Sequence, residues 1–327
     1  MTAVELGSWR GEGVHLGQVL EALSELRRNG QKTATRASVT NLVVVAADDH
    51  EVARSCAAVH RLGRRHPGRN IVLLPLAADG PARVDAEVLL HGSGDPGPAV
   101  WSEDVRLTIR GAPATRLGSL VQPLTLADVP VVVWFASGLP EPHDPLLDGA
   151  ATVLVDTADL EGGGVAPMTR LMRRRVVTDL CWIQLRPWRQ LLAGLFEVPA
   201  CQPFLAGVRE VHAGGGAGAR LLLAGWVSSR LGLVPGTVQL VADETPSLRV
   251  VAGHDGATGV FTVELDQSGS GPGLIRARAE VDGAESRQDR LLLPEDPLAW
   301  SLGEALAHSG RDRAHVQAVQ GALVFSG

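Results

Sequence analysis

The chain has no tyrosine and a single lysine, Lys32, among its 327 residues. Schiff-base chemistry and phosphate-cradling P-loops both require a placed lysine. Lys32 sits in the polar connector Asn29-Gly30-Gln31-Lys32-Thr33 and fits neither role. Every other permanent side-chain cation is arginine, and alanine and glycine are abundant, the composition of a GC-rich coding region. Cysteine is also scarce. Cys56, Cys181 and Cys201 are odd in number and far apart, and no CxxC occurs. That pattern speaks against a disulfide framework. Cys56 follows the apolar stripe of its segment and Cys181 precedes Trp182. Buried thiols react poorly, so no cysteine switch is expected.

Other signatures are missing too. No stretch approaches the roughly 18 apolar residues of a membrane span. The first residues, MTAVELGSWRGEG, lack the basic start and apolar core of a signal peptide. A cytoplasmic protein with no membrane partner is expected. A net charge of −6 argues against nucleic acid as a partner. No G-x-S-x-G elbow is present. The 10 histidines never recur at i, i+4 and share no Cys/His spacing, so no metal centre is expected. Ser102-Glu103-Asp104 reads as loop, with no histidine tied to it. No catalytic residue and no cofactor is assigned.

What is present is an apolar chain, 45% hydrophobic and long enough for two domains. It is organised around Thr115 to Leu160. Leu117, Leu120, Val121 and Leu124 recur at helical spacing, with Pro123 set to divide the helix. Val129 to Phe135 is apolar on both alternating faces, as in a parallel sheet covered on both sides. A Gly/Pro loop and a second strand, Ala151 to Val155, follow. Upstream, Gly17 to Arg28 reads as a helix and Asn41 to Ala47 as a buried strand. Asp48-Asp49-His50-Glu51 is a helix start, and Asn70 to Leu76 is the next strand. Val84 to Leu90 and Val105 to Arg110 read as an antiparallel hairpin at a sheet edge, around the loop Gly92 to Pro98.

The second half changes character. Met168 to Leu180 is expected as a helix whose Arg170, Arg173 and Arg174 share a face. Leu205 to His212 reads as a strand and Ala217 to Leu231 as a helix. Five short alternating strands run from Gly236 to Leu293, and a broken helical segment runs from Pro297 to Phe325. Gly214-Gly215-Gly216-Ala217-Gly218 lies between strand and helix but lacks the dinucleotide spacing, in a sheet that reads as antiparallel. The expected architecture is therefore an α/β N-terminal domain with a mostly parallel sheet, residues 1–164. An α+β C-terminal domain with an antiparallel sheet follows, residues 165–327.

Four segments, in order, carry a family resemblance. One is the His66-Pro67-Gly68-Arg69 turn. The second is Ser119-Leu120-Val121 with Pro123-Leu124, Asp128-Val129-Pro130, Val133-Trp134 and Val155-Asp156. The third is DLCWIQLRPWRQLLAGLF, Asp179 to Phe196, and the fourth LLLAGWVSSRLGL, Leu221 to Leu233. Together they resemble the OpcA family, the glucose-6-phosphate dehydrogenase assembly proteins, over roughly Ser38 to Leu233. The resemblance implies a non-catalytic partner that binds glucose-6-phosphate dehydrogenase and raises its activity. Arg170, Arg173, Arg174, Arg186, Trp188 and Arg189 are the candidate partner surface, since Trp and Arg dominate interface hot spots. The alternative is a sugar-phosphate- or nucleotide-binding enzyme or sensor, with His66, Arg69, Ser137 and His143 as its site.

Overall fold

The computed structural model describes residues 3–30, 34–36, 39–63, 66–93, 99–266, 273–308 and 310–326. Lys32 and residues 94–98 of the Gly/Pro loop lie outside them. The chain divides into two compact units. The first holds Met1–Val155, Arg175–Thr178 and Leu302–Gly310; the second holds Asp156–Arg174, Asp179–Ser301 and Arg311–Gly327.

The first unit contains β1 (Ala3–Gly11), α1 (Leu16–Gly30), β2 (Ala34–Arg36), β3 (Thr40–Val45), α2 (Asp49–Leu62) and β4 (Gly68–Pro75). These are followed by β5 (Arg83–Ser93), β6 (Ala99–Arg110), α3 (Leu117–Val121), β7 (Val131–Phe135) and β8 (Ala150–Val155). With β9 (Val177–Asp179), the strands form one sheet in the order β1-β5-β6-β4-β3-β7-β8-β9, and β2 lies beside β6. From β6 through β4, β3 and β7 to β8 every pairing is parallel. The strands at its centre are correspondingly covered on both faces: Val43, Val44, Ile71, Leu73, Val133 and Trp134 are fully buried. Burying each such side chain is worth roughly 1.5–3 kcal/mol. Asp48 caps α2 by accepting from the Glu51 N–H at 2.8 Å, as its acidic start requires. Pro123 ends α3 at Val121 and turns the chain through a 3₁₀ turn, Gln122–Leu124.

Two readings need correction here. The β5–β6 hairpin forms, antiparallel, but not at the edge. β1 adds outside β5, and β6 pairs β4 in parallel. The glycines of β1, Gly7 and Gly11, interrupt the alternation that would announce it. Ser102-Glu103-Asp104 is not loop but the middle of β6. Two adjacent acids look like solvent-facing chain until their tertiary partners are seen.

The second unit contains α4 (Val165–Met172), α5 (Leu180–Gln184), α6 (Arg186–Leu195), β10 (Val208–Gly215), α7 (Ala217–Leu231) and β11 (Val238–Ala242). It continues with β12 (Ser247–His254), β13 (Ala257–Leu265), β14 (Leu274–Val281) and β15 (Ala284–Leu292). Two helices close the chain, α8 (Pro297–Ala307), whose first residues belong here, and α9 (Arg313–Ala322). The second sheet has the order β11-β10-β12-β13-β14-β15. β12 to β15 are an antiparallel meander with one buried face: Ile275, Ala277 and Ala279 point inward while Arg276 and Arg278 alternate with them. β10 and β11, however, are parallel on either side of α7, where the sequence suggests antiparallel pairing. The helix between them makes the crossover that a parallel pair needs. Gly218 in the Gly-rich turn is there for space, since a Cβ would lie 2.1 Å from the Thr157 carbonyl oxygen.

The predicted helix from Met168 to Leu180 is also corrected. α4 stops at Met172, with Arg173 as its C-cap, and Val177 enters strand β9. The β-branched pair Val176-Val177 favours extended chain. The Val176 carbonyl accepts from the Val153 N–H at 2.9 Å, and Arg175 donates to the Leu147 carbonyl at 2.7 Å. Asp179 then starts a new helix, α5, as its N-cap.

Candidate functional site

In the first unit the chemistry collects on β6. Side chains alternate along a strand, so Glu103 and Asp104 leave on opposite faces. Each is 2% exposed. Glu103 faces α1 and accepts from Arg27 Nε at 2.6 Å and from Arg69 Nε at 2.7 Å. Arg69, itself 3% exposed, also donates to the Leu124 carbonyl. Buried charges survive when paired and hydrogen-bonded in this way. Asp104 faces α2. Its Oδ1 accepts from Asn70 Nδ2 at 2.7 Å. Its Oδ2 lies 2.6 Å from His60 Nε2 and 3.2 Å from His91 Nε2. The two imidazole rings stand 4.5 Å apart, tilted by 58°. Burial on its own would raise the Asp104 carboxyl, but the contacts from His60, His91 and Asn70 outweigh it and hold it well below the usual carboxylate range.

The reading that no histidine is tied to Asp104 is overturned by His60 and His91. A partial signal exists in the sequence, since Cys56 and His60 are one turn apart on the inward face of α2. The other partners, His91 and Asn70, arrive from two strands, which no local spacing reveals.

The four residues of the alternative site do not converge. β4 and β7 both run parallel to β3. His66 and Arg69 lie at the beginning of β4, whereas Ser137 and His143 follow the end of β7, at the other end of the sheet. Ser137 and His143 are exposed, His66 is half-buried, and Arg69 is committed to Glu103.

In the second unit, the Trp/Arg segment turns inward. Asp179, 0% exposed, accepts from the Cys181 N–H at 3.0 Å and the Thr157 hydroxyl at 2.6 Å. Trp182 donates its indole N–H to Asp312 at 2.8 Å and stacks on His315. The Arg189 guanidinium lies 3.3 Å from the centroid of the Trp182 ring and donates to the Trp182 carbonyl. Burial lowers Arg189 to about 10, still well above neutrality. Trp188 is 6% exposed and donates to the Pro246 carbonyl at 2.9 Å. Arg186 is half-buried, its guanidinium 5.7 Å from the Trp300 ring. Trp188 and Arg189 are thus used within the unit. Arg170, Arg173 and Arg174 are exposed, and none of them takes part in an ion pair among the described residues.

Comparison with known proteins decides the family. Residues 59–179 match the OpcA assembly family, described as the N-terminal domain of a glucose-6-phosphate dehydrogenase subunit. Residues 175–319 match its companion, described as the C-terminal domain of the same protein. The chain belongs to the OpcA family. A similar protein is the OxPP cycle protein OpcA named in Synechocystis sp., 26% identical over 141 residues. That match covers 39% of this chain and spans 30% of the relative's length. The OpcA segments singled out in the sequence fall mostly at buried or closely packed positions. Gly225 is where α7 meets α9, and Trp182 and Trp188 are core. Among the described residues no helix is long and apolar enough to cross a membrane.

Proposed function

We propose that this OpcA-family chain is a non-catalytic partner of glucose-6-phosphate dehydrogenase, which it binds and activates in the cytoplasm. The observation that supports this most is the pair of family matches, which together run from residue 59 to residue 319. An activator needs no chemistry of its own. It needs a surface that binds the active state of the enzyme better than the inactive one. The surface proposed here is the exposed arginine group Arg170, Arg173 and Arg174 at the end of α4. On a chain of net charge −6 it is a local cationic patch suited to an acidic face of the dehydrogenase. Arg186, half-buried at the start of α6, is a secondary candidate. Trp188 and Arg189 drop from the partner surface because the second unit uses them internally.

The test is binding of the purified chain to the dehydrogenase of the same organism, for the wild type and for Arg173→Glu with Arg174→Glu. Both side chains are exposed, so the fold should survive, as circular dichroism will show. The charge reversal should weaken binding about tenfold or more, roughly 1.4 kcal/mol. A change under about threefold removes this patch from the interface. No binding by the wild type contradicts the reading itself.

A further inference from the structure

We propose that His60, His91 and Asp104 form a binding site for a divalent transition-metal ion of the zinc class, with three protein ligands and one position left for water. Nothing in the family descriptions implies an ion, and the dehydrogenase reading neither requires nor supplies one.

The three ligand atoms, His60 Nε2, His91 Nε2 and a carboxylate oxygen of Asp104, lie within 4.8 Å of one another. They come from three elements, α2, β5 and β6. A tetrahedral ion with bonds of about 2.0–2.1 Å spaces its ligand atoms about 3.3 Å apart. The His91–Asp104 separation of 3.2 Å already matches. The His60–Asp104 separation of 2.6 Å is a hydrogen bond, and His60 needs to withdraw by less than about 1 Å to admit the ion. Its side chain is 29% exposed, which gives it that freedom and gives the ion an entry path.

Two details point to a ligand rather than to a polar contact alone. His91 Nε2 is a buried ring nitrogen whose polar neighbour here, the Asp104 carboxylate at 3.2 Å, is poorly aligned for a hydrogen bond. A buried polar atom in that state calls for a partner. Asp104 is in turn oriented by Asn70 through its other oxygen, the outer-shell support that ligating carboxylates receive. The nearby cation Arg106 pairs with Glu87 at 3.2 Å, which offsets its repulsion of an incoming ion. Two imidazoles and one carboxylate suit zinc, manganese or ferrous iron; calcium and magnesium prefer all-oxygen sites. Binding takes the place of the His60–Asp104 contact and fastens α2 to β5 and β6.

The test uses the full chain, stripped with EDTA and equilibrated with Zn²⁺ alone. Metal analysis after dialysis should find one zinc ion per chain. His91→Ala and His60→Ala, each checked by circular dichroism, should each lower zinc affinity by at least about tenfold. His143→Ala, at an exposed histidine elsewhere, should leave it unchanged. Co²⁺ in place of zinc should give visible bands in the wild type that both ligand variants lose. If one ligand variant does not fold, the other and the cobalt spectrum still decide. Substoichiometric zinc in the wild type overturns the proposal. So does zinc affinity that neither ligand variant moves.

Discussion

Glu103 and Asp104 are neighbours on one strand with opposite surroundings. Glu103 is paired with two arginines, whereas Asp104 lies against two histidines and accepts from an amide. Neither role is visible in the triplet Ser102-Glu103-Asp104. The partners of Glu103 lie 34 and 76 residues away in sequence, so periodicity and spacing carry no trace of them. The cysteines are easier to read, because each falls in an apolar context. Cys56, Cys181 and Cys201 are 7%, 3% and 1% exposed, and all are free thiols. Burial pushes the Cys56 thiol up, against the pull of Arg106, and pushes Cys181 well above the ordinary thiol range. Thiolate, the reactive form, is therefore suppressed. Ellman's reagent should find no fast-reacting thiol in the native chain and three after denaturation. A native thiol reacting as fast as free cysteine would contradict this.

At the scale of elements, helix starts and strand periods are legible in the sequence; ends fixed by distant contacts are not. The acidic cap of α2, the Pro123 break and the meander β12–β15 all follow local rules. The end of α4 does not, because the contacts of Arg175 and Val176 that pull the chain straight are tertiary. The crossing of α7 and α9 depends on Gly225, where a Cβ would lie 2.0 Å from the Ala318 carbonyl oxygen. Gly225→Ala should cost about 1–3 kcal/mol in urea unfolding, since backbone must move. An unchanged midpoint would show that the helices are not in this close contact. The N-cap of α9 gives a pH-dependent prediction. Asp312 accepts from the Ala314 N–H at 2.8 Å and from Trp182. Burial would raise its carboxyl, but the Trp182 and backbone hydrogen bonds outweigh burial and hold it below its usual value. A lowered folded value means stabilisation that is complete above about pH 4, the unfolded value, and lost as pH falls through the folded one. Asp312→Ala should therefore cost about 1–2 kcal/mol at pH 7. The difference from wild type should shrink by about pH 3. An equal difference at both pH values would refute the assignment.

For the whole molecule, fold class is well written in the sequence. The runs of apolar residues in β3, β4 and β7 mark a parallel sheet covered on both faces, and the alternation of β12 to β14 marks a sheet with one buried face. The candidate sites are poorly written there. Trp188 and Arg189 have the composition of an interface hot spot, but Trp188 is core and Arg189 is held over the Trp182 ring, and composition cannot tell these uses apart. Family membership carries the functional reading, and the exposed arginines are the surface proposed for it. The most direct test is the initial rate of glucose 6-phosphate oxidation by the dehydrogenase of the same organism, titrated with this chain. The expected result is a saturable rise in turnover or fall in KM, with no turnover by the chain alone. Unchanged kinetics at saturating chain, or oxidation by the chain without the enzyme, would contradict the account.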